Sequence, residues 1–356
     1  KENILSLINS EANIEDINLF DAKFKIIKKA NSSEDNLKQF LKNFVSESDS
    51  TKTEGSPLSL DIRNLNLRNL QIGFENVQDS SSIFVSLNEG HVGVKEINLA
   101  QDSFIIESLS LSRPVFKMYN GLAKVKKDKS APVEDKEEPN VPSESNFYLA
   151  VENLEINEGF FKKHDLSKAK NKESSLDVND IEVTDLYLVS QNFELNGNND
   201  IVGRINRLSL KEKNGFEIEK LAIDSLRFND TQLLLSGLDL NTQKSTISDY
   251  IEFKYNKLSD FGSFAQAIEI DADMTGSEVT FQDLIYFFPD LKNSPFFKLN
   301  GKRKFRLTGK LQGTVDDLYA DNMFLSIDNL IELSGSLSTN KLTNSSLPLE
   351  FSKPAL

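Results

Sequence analysis

Four tracts of this chain repeat one five-residue beat, two large apolar residues one apart followed by two polar ones. The first runs Leu60-x-Ile62, Leu65-x-Leu67, Leu70-x-Ile72 and the second Leu176-x-Val178, Ile181-x-Val183, Leu186-x-Leu188. The third is Phe216-x-Ile218, Leu221-x-Ile223, Leu226-x-Phe228, trailing into Thr231-x-Leu233. The fourth, Phe104-x-Ile106, Leu109-x-Leu111, Pro114-x-Phe116, has a proline in one slot. Residues at i and i+2 share a strand face, but the next pair starts five residues on and would point the other way. One apolar face survives only if the backbone takes up a residue at each step, in a bulge or tight corner. The spacers suit this: Arg63-Asn64, Arg68-Asn69, Asn179-Asp180 and Thr184-Asp185 carry Asn and Asp, which tolerate left-handed backbone. The pattern predicts a strongly curved sheet with one long apolar face.

What covers that face is the functional question, and composition narrows it. A net charge of -14 and a pI near 4.8 exclude nucleic acid as a partner and disfavour anionic surfaces. There is no cysteine, hence no disulfide frame, thiolate metal site or cysteine nucleophile. No run approaches 18 apolar residues, so neither a membrane-spanning helix nor a signal-peptide core is expected. The chain opens at Lys1 and ends in mid-pattern at Leu356, which reads as a piece of a longer protein.

Three regions follow. Residues 1–125 form an N-terminal β segment, interrupted by a helix near 34–46 in which Leu37, Phe40, Leu41, Phe44 and Val45 recur at helical spacing. Residues 126–146 are charged, proline-containing and nearly free of apolar side chains, a disordered loop insertion that the chain could lose. Residues 147–356 resume the strands, apart from a second polar stretch, Lys162–Ser175. Thr280-x-x-Asp283 is a capping box for a short helix near 281–289 that Pro289 stops. A long alternation from Phe297 through Leu299, Phe305, Leu307 and Leu311 to Val315 predicts one strand of 19 residues, basic on its other side and broken by Arg303.

No phosphate loop, H-E-x-x-H or G-x-S-x-G occurs, and an enzyme is not expected. His91 falls in a turn-like Glu89-Gly90-His91 and His164 in a Lys-rich loop, where surface histidines are the plainer reading. Asp271-x-Asp273 and Asp316-Asp317 fall short of a calcium loop, so no metal or other cofactor is expected. Alternating Lys and Arg at 298–310 could meet anionic head groups, but reads first as the solvated side of a strand.

Helices are too few to cover the apolar face, and the slots are too large for a narrow solenoid. A second sheet and a bound apolar ligand stay open on pattern alone. Runs such as LSLDIRNLNLRNLQIGFEN and SLDVNDIEVTDLYL resemble the AsmA-like and TamB proteins of Gram-negative envelopes. The segment FQDLIYFFPDLKNSPFFKLNGKRKFRLTGKLQGTVDDLYADNMFLSIDN is similar to the Bacteroidota-type TamB family, with Asp283, Leu284, Phe287, Pro289 and Leu291 before Gly313, Thr314, Val315, Asp316 and Leu318. The resemblance implies an elongated, twisted, taco-shaped β-groove of many antiparallel strands with two short helices. It implies a periplasmic protein, anchored in the inner membrane by a segment absent from this chain. Phospholipid acyl chains would move along the groove toward the outer membrane. An Omp85-family barrel would be engaged through a C-terminal region also absent. The groove lining is then Leu65, Leu67, Leu70, Ile72, Phe104, Ile106, Leu109, Leu111, Ile181, Val183, Leu186, Leu188, Phe216, Ile218, Leu221, Ile223, Leu226, Phe228, Phe305, Leu307 and Leu311. The alternative is a structural or adhesive β-sandwich or solenoid protein of the envelope without lipid cargo.

Overall fold

Seventeen strands hydrogen-bond into a single sheet. The structure, a computed structural model, describes residues 13–30, 32, 34–37, 39, 61–98, 101–121, 147–168, 175–197, 200–287, 301–328, 330–338 and 350–352. β1 (Asn13–Phe20) and β2 (Lys23–Lys28) lie end to end along β3 (Asp61–Asn76), both parallel to it. β4 (Ser81–Asn98) is antiparallel to β3. β5 (Ser103–Ser112) and β6 (Val115–Asn120) again lie end to end, antiparallel to β4 and parallel to β7 (Tyr148–Asp165). From there the chain meanders antiparallel through β8 (Asp180–Asn196), β9 (Asp200–Glu212), β10 (Glu217–Phe228), β11 (Gln232–Thr242) and β12 (Thr246–Lys254). β13 (Glu269–Thr280), β14 (Lys304–Gly313), β15 (Leu318–Ile327), β16 (Ile331–Ser338) and β17 (Glu350–Ser352) complete it.

The mainly-β reading holds, but the sheet is mixed rather than wholly antiparallel. Pro114 explains one break: it has no N–H to give a ladder, so β5 stops at Ser112 and β6 starts at Val115. The polar stretch expected from Lys162 begins later, because β7 runs on to Asp165. Between β6 and β8 its polar side chains find partners, as Lys162 does with Glu182 at 2.6 Å. Conversely, Leu176 and Val178 precede β8, and Val178 is 57% exposed. Of the expected 19-residue strand, residues 297–300 lie outside the described residues and Lys304–Gly313 form β14. Residues 301–302 form a turn before it, and Arg303 pairs with Asp328 at 3.1 Å outside the ladder. Residues 126–146 lie outside the described residues, as does most of the helix near 34–46, of which residues 36, 37 and 39 are helical.

Two helical elements flank β13. A 3₁₀ turn, Leu258–Ser263, runs into α1 (Phe264–Ala267), and Phe261 and Phe264 pack their rings against Phe253. Half of the expected capping box appears at α2 (Phe281–Phe287): the Asp283 N–H donates to Thr280 Oγ1 at 3.3 Å, while the Thr280 N–H donates to Ser245 Oγ rather than to Asp283. The core is thin. On β3, β4, β5, β7, β8, β10 and β11 the buried apolar side chains are Leu70, Leu87, Ile106, Val151, Val183, Ile223 and Leu238, one to a strand.

Left-handed residues form rows across the strands. Asp21 (φ 54) lies beside Asn69 (φ 51), and Arg113 (φ 50) beside Glu158 (φ 53), by the register of the parallel ladders. Asp185 (φ 52) carries this row onto β8. A second row runs through Gly237, Asp249, Gly276, Gly309, Asn322 and Gly335, one on each strand from β11 to β16, and Asn192 is a further left-handed residue on β8. In the second row the ladders slip where these residues meet, as between Ser236 and Leu238 or Thr308 and Lys310. Such bulges bend a strand and sharpen its twist. The expectation of one per beat is corrected to one between two beats: Asn69 and Asp185 are left-handed, whereas Asn64 and Asp180 are not. β3 and β8 each hold two apolar pairs around that residue; the β7–β8 ladder slips there, whereas β3 passes Asn69 in unbroken register with β4.

Candidate functional site: the apolar face

Directly opposed residues of neighbouring strands point to one face. One such row joins Leu19, Leu67, Gly90, Leu111, Ile156, Leu188, Leu208, Leu221, Leu240 and Ile247 without a polar side chain. A second joins Phe104, Leu149, Leu195, Ile201, Phe228, Leu233, Phe253 and Ile270. A third starts at Leu226 and passes Leu235, Ile251, Ala272, Leu311, Ala320 and Leu337. Leu65 meets Val92, which meets Leu109; Ile72 meets Val85; Phe305 meets Val279 and Ile327; Leu307 meets Leu325. Many of the residues expected as lining thus fall on connected apolar rows, but Ile181 lies opposite Lys163, Val183 opposite Glu212, Ile218 opposite Thr242 and Leu307 opposite Ser277, and Phe216 stands before β10.

Exposure separates two kinds of lining residue. Leu70, Ile106, Val183 and Ile223 are buried. The others, Leu65, Leu67, Ile72, Phe104, Leu109, Leu111, Ile181, Leu186, Leu188, Phe216, Ile218, Leu221, Leu226, Phe228, Phe305, Leu307 and Leu311, are half-buried. β7 supplies Leu149, Val151, Leu154 and Ile156 to the same rows. Sequence reasoning missed these four, although Leu149-x-Val151, Leu154-x-Ile156 repeats the beat.

The opposite face is polar and internally paired. Lys304 and Arg306 meet Glu278 at 2.7 and 3.1 Å, and Lys310 meets Asp273 at 3.8 Å, so carboxylates of β13 answer the basic side of β14. Hydrogen bonds from those two cations hold the Glu278 carboxyl below its ordinary range. Neither histidine sits in a loop. His91 Nδ1 lies 2.9 Å from Asn66 Oδ1 within the ladder, and His164 Nδ1 lies 2.8 Å from Asp180 Oδ1. Lys213 reaches the other oxygen of Asp180 at 2.7 Å.

At one end of the face α2 binds several strand ends together. Tyr286 donates to the buried Glu212 carboxylate at 2.7 Å, and burial, with that bond, drives the phenol's pKa far up. Its ring stacks on Phe216 with centroids 4.9 Å apart, and its carbonyl accepts from the Leu176 N–H. Asp283 accepts from Thr242 and Ser245 at 2.8 and 2.5 Å. No family model, curated protein or solved structure matches this chain significantly.

Proposed function

We propose that this chain is a lipid-transfer segment, carrying phospholipid acyl chains along a groove formed by the apolar face. The observation that carries the reading is the half-buried state of rows that cross the sheet strand after strand. In a two-layer sandwich the inner-face side chains are enclosed by the facing sheet. Here most keep some contact with solvent, so apolar surface is left for a ligand. Each acyl methylene that leaves water onto such a face gains about 0.8 kcal/mol and needs no polar contact. The rows of left-handed residues support a sheet folded along its length, since bulges at matching positions bend neighbouring strands together. Transport would be passive sliding along the rows, without bond chemistry. The setting implied by the resemblance to TamB and AsmA-like proteins, a periplasmic span from an inner-membrane anchor toward an Omp85-family barrel, belongs to the same proposal.

The test is lipid mass spectrometry on protein purified without detergent, with two substitutions alongside. Leu226→Asp places a charge on a half-buried row. It should leave the circular dichroism spectrum intact and reduce bound lipid several-fold. Ile223 is 3% exposed, so Ile223→Asp buries a charge in lipid-free protein too and should unfold it at lower temperature. Wild-type protein free of lipid, or a folded Leu226→Asp variant with full occupancy, would overturn the reading in favour of a structural protein.

A further inference from the structure

We propose that a cavity of about 280 Å³ between α2 and the turns joining β9 to β10 and β11 to β12 receives a zwitterionic phospholipid headgroup, phosphate against Lys244 and amine against Asp283. The inference rests on the lipid-carrying reading and adds to it a place and a chemistry for the polar end of the cargo. Its lining combines the apolar Phe216, Ile285 and Tyr286 with the polar Asn214, Lys244, Gln282 and Asp283. Phe216 stands two residues before Ile218, which lies beside Leu210. The cavity therefore opens where apolar rows end and polar side chains begin, the junction an amphiphile spans.

Its two charged groups point to the ligand. Among the described residues the Lys244 ammonium makes no ion pair, whereas Lys220 on the neighbouring β10 is held by Asp239 at 2.5 Å. The Asp283 carboxylate is fixed through one oxygen only. Oδ2 takes the hydroxyls of Thr242 and Ser245, and Oδ1 accepts no hydrogen bond among the described residues. One unpaired ammonium and one half-used carboxylate share the cavity. A purely anionic headgroup would meet Asp283 in a chain of net charge -14, and a purely cationic one would meet Lys244. A group carrying both signs satisfies both.

The experiment offers the detergent-free full chain vesicles of phosphatidylethanolamine and phosphatidylglycerol in equal amounts, with identical acyl chains, and measures bound lipid by mass spectrometry. Wild-type protein should enrich phosphatidylethanolamine roughly threefold, the scale of a partly exposed ion pair. Lys244→Ala and Asp283→Asn should each abolish the enrichment while total bound lipid stays unchanged. The asparagine keeps an acceptor for Thr242 and Ser245. Soluble phosphoethanolamine should not displace the lipid; displacement would assign the cavity to a free zwitterion and overturn the proposal. Bound lipid without enrichment, or enriched in phosphatidylglycerol, overturns the headgroup site and leaves lipid carriage standing. Protein that takes up neither lipid overturns both.

Discussion

Asn69 shows how one residue decides which way a strand's side chains point. Its φ of 51° costs most L-residues about 1–2 kcal/mol, and asparagine less because its amide bonds locally. That amide donates to Asp21 at 2.8 Å, so two left-handed residues of adjacent strands hold one another. Asn69→Val should destabilise the chain by about 1–2 kcal/mol in urea denaturation, and Asn69→Gly by less than half as much. Equal losses would mean that the side-chain bond, not the backbone angle, sets the position. Asp180 governs a different property. Burial pushes its carboxyl up, yet bonds from Lys213 and His164 outweigh this and hold it below the ordinary carboxylate range. A depressed folded pKa contributes stability that is present above the unfolded value, about 3.9, and lost as pH falls through the folded value. Melting temperature should therefore drop below about pH 4 in the wild type. Asp180→Asn should melt lower at pH 7 and lose less on acidification. Parallel wild-type and variant curves would exclude Asp180 from the acid response. Residues also mark the limit of the sequence. Asn and Asp advertised a left-handed backbone, whereas Arg113 and Glu158 adopt it because their ladder partners bend at the same level, which no local signal reports.

At the scale of elements, the antiparallel strands from β8 onward were legible because each pairs with its neighbour in sequence, through the beat as far as β10 and through simple alternation in β13 and β14. β5, β6 and β7 were not. Their pairing is parallel and joins residues far apart in the chain, and hydrophobic period is blind to strand direction. The lining of the candidate site was mostly readable, since it is the beat itself. The cavity under α2 was not, because it depends on where a seven-residue helix lands. One anchor of α2 is the buried Tyr286 hydroxyl on Glu212, whose other oxygen has no partner among the described residues. Tyr286→Phe removes one of this carboxylate's two donors among the described residues and leaves the Asn214 N–H. The loss should be about 1–3 kcal/mol. Hydrogen exchange should quicken at 281–287 and at Leu176, with β14 to β16 unchanged. Uniform acceleration across the sheet would mean that α2 is no separate unit.

For the whole molecule, direction and width follow from the ladder. With two pairs of strands end to end, seventeen strands about 4.8 Å apart make a sheet about 70 Å across. Solution scattering should therefore give a radius of gyration well above the roughly 20 Å of a compact domain this long. Parallel pairing argues against the expectation that residues 126–146 are expendable. β6 ends opposite the end of β7, at Asn120 beside Asp165, while β7 begins beside Ser103. The chain must return the length of an 18-residue strand, about 55–60 Å, before β7 can start. Deleting 126–146 leaves only residues 122–125 outside the two strands' described flanks, a reach of about 14 Å. The deletion should break β7 away from β5 and β6 and lower the melting temperature by many degrees. A Gly/Ser linker of the original length should restore it, because span rather than sequence is required. A deletion variant that melts like the wild type would mean that β6 and β7 do not run parallel.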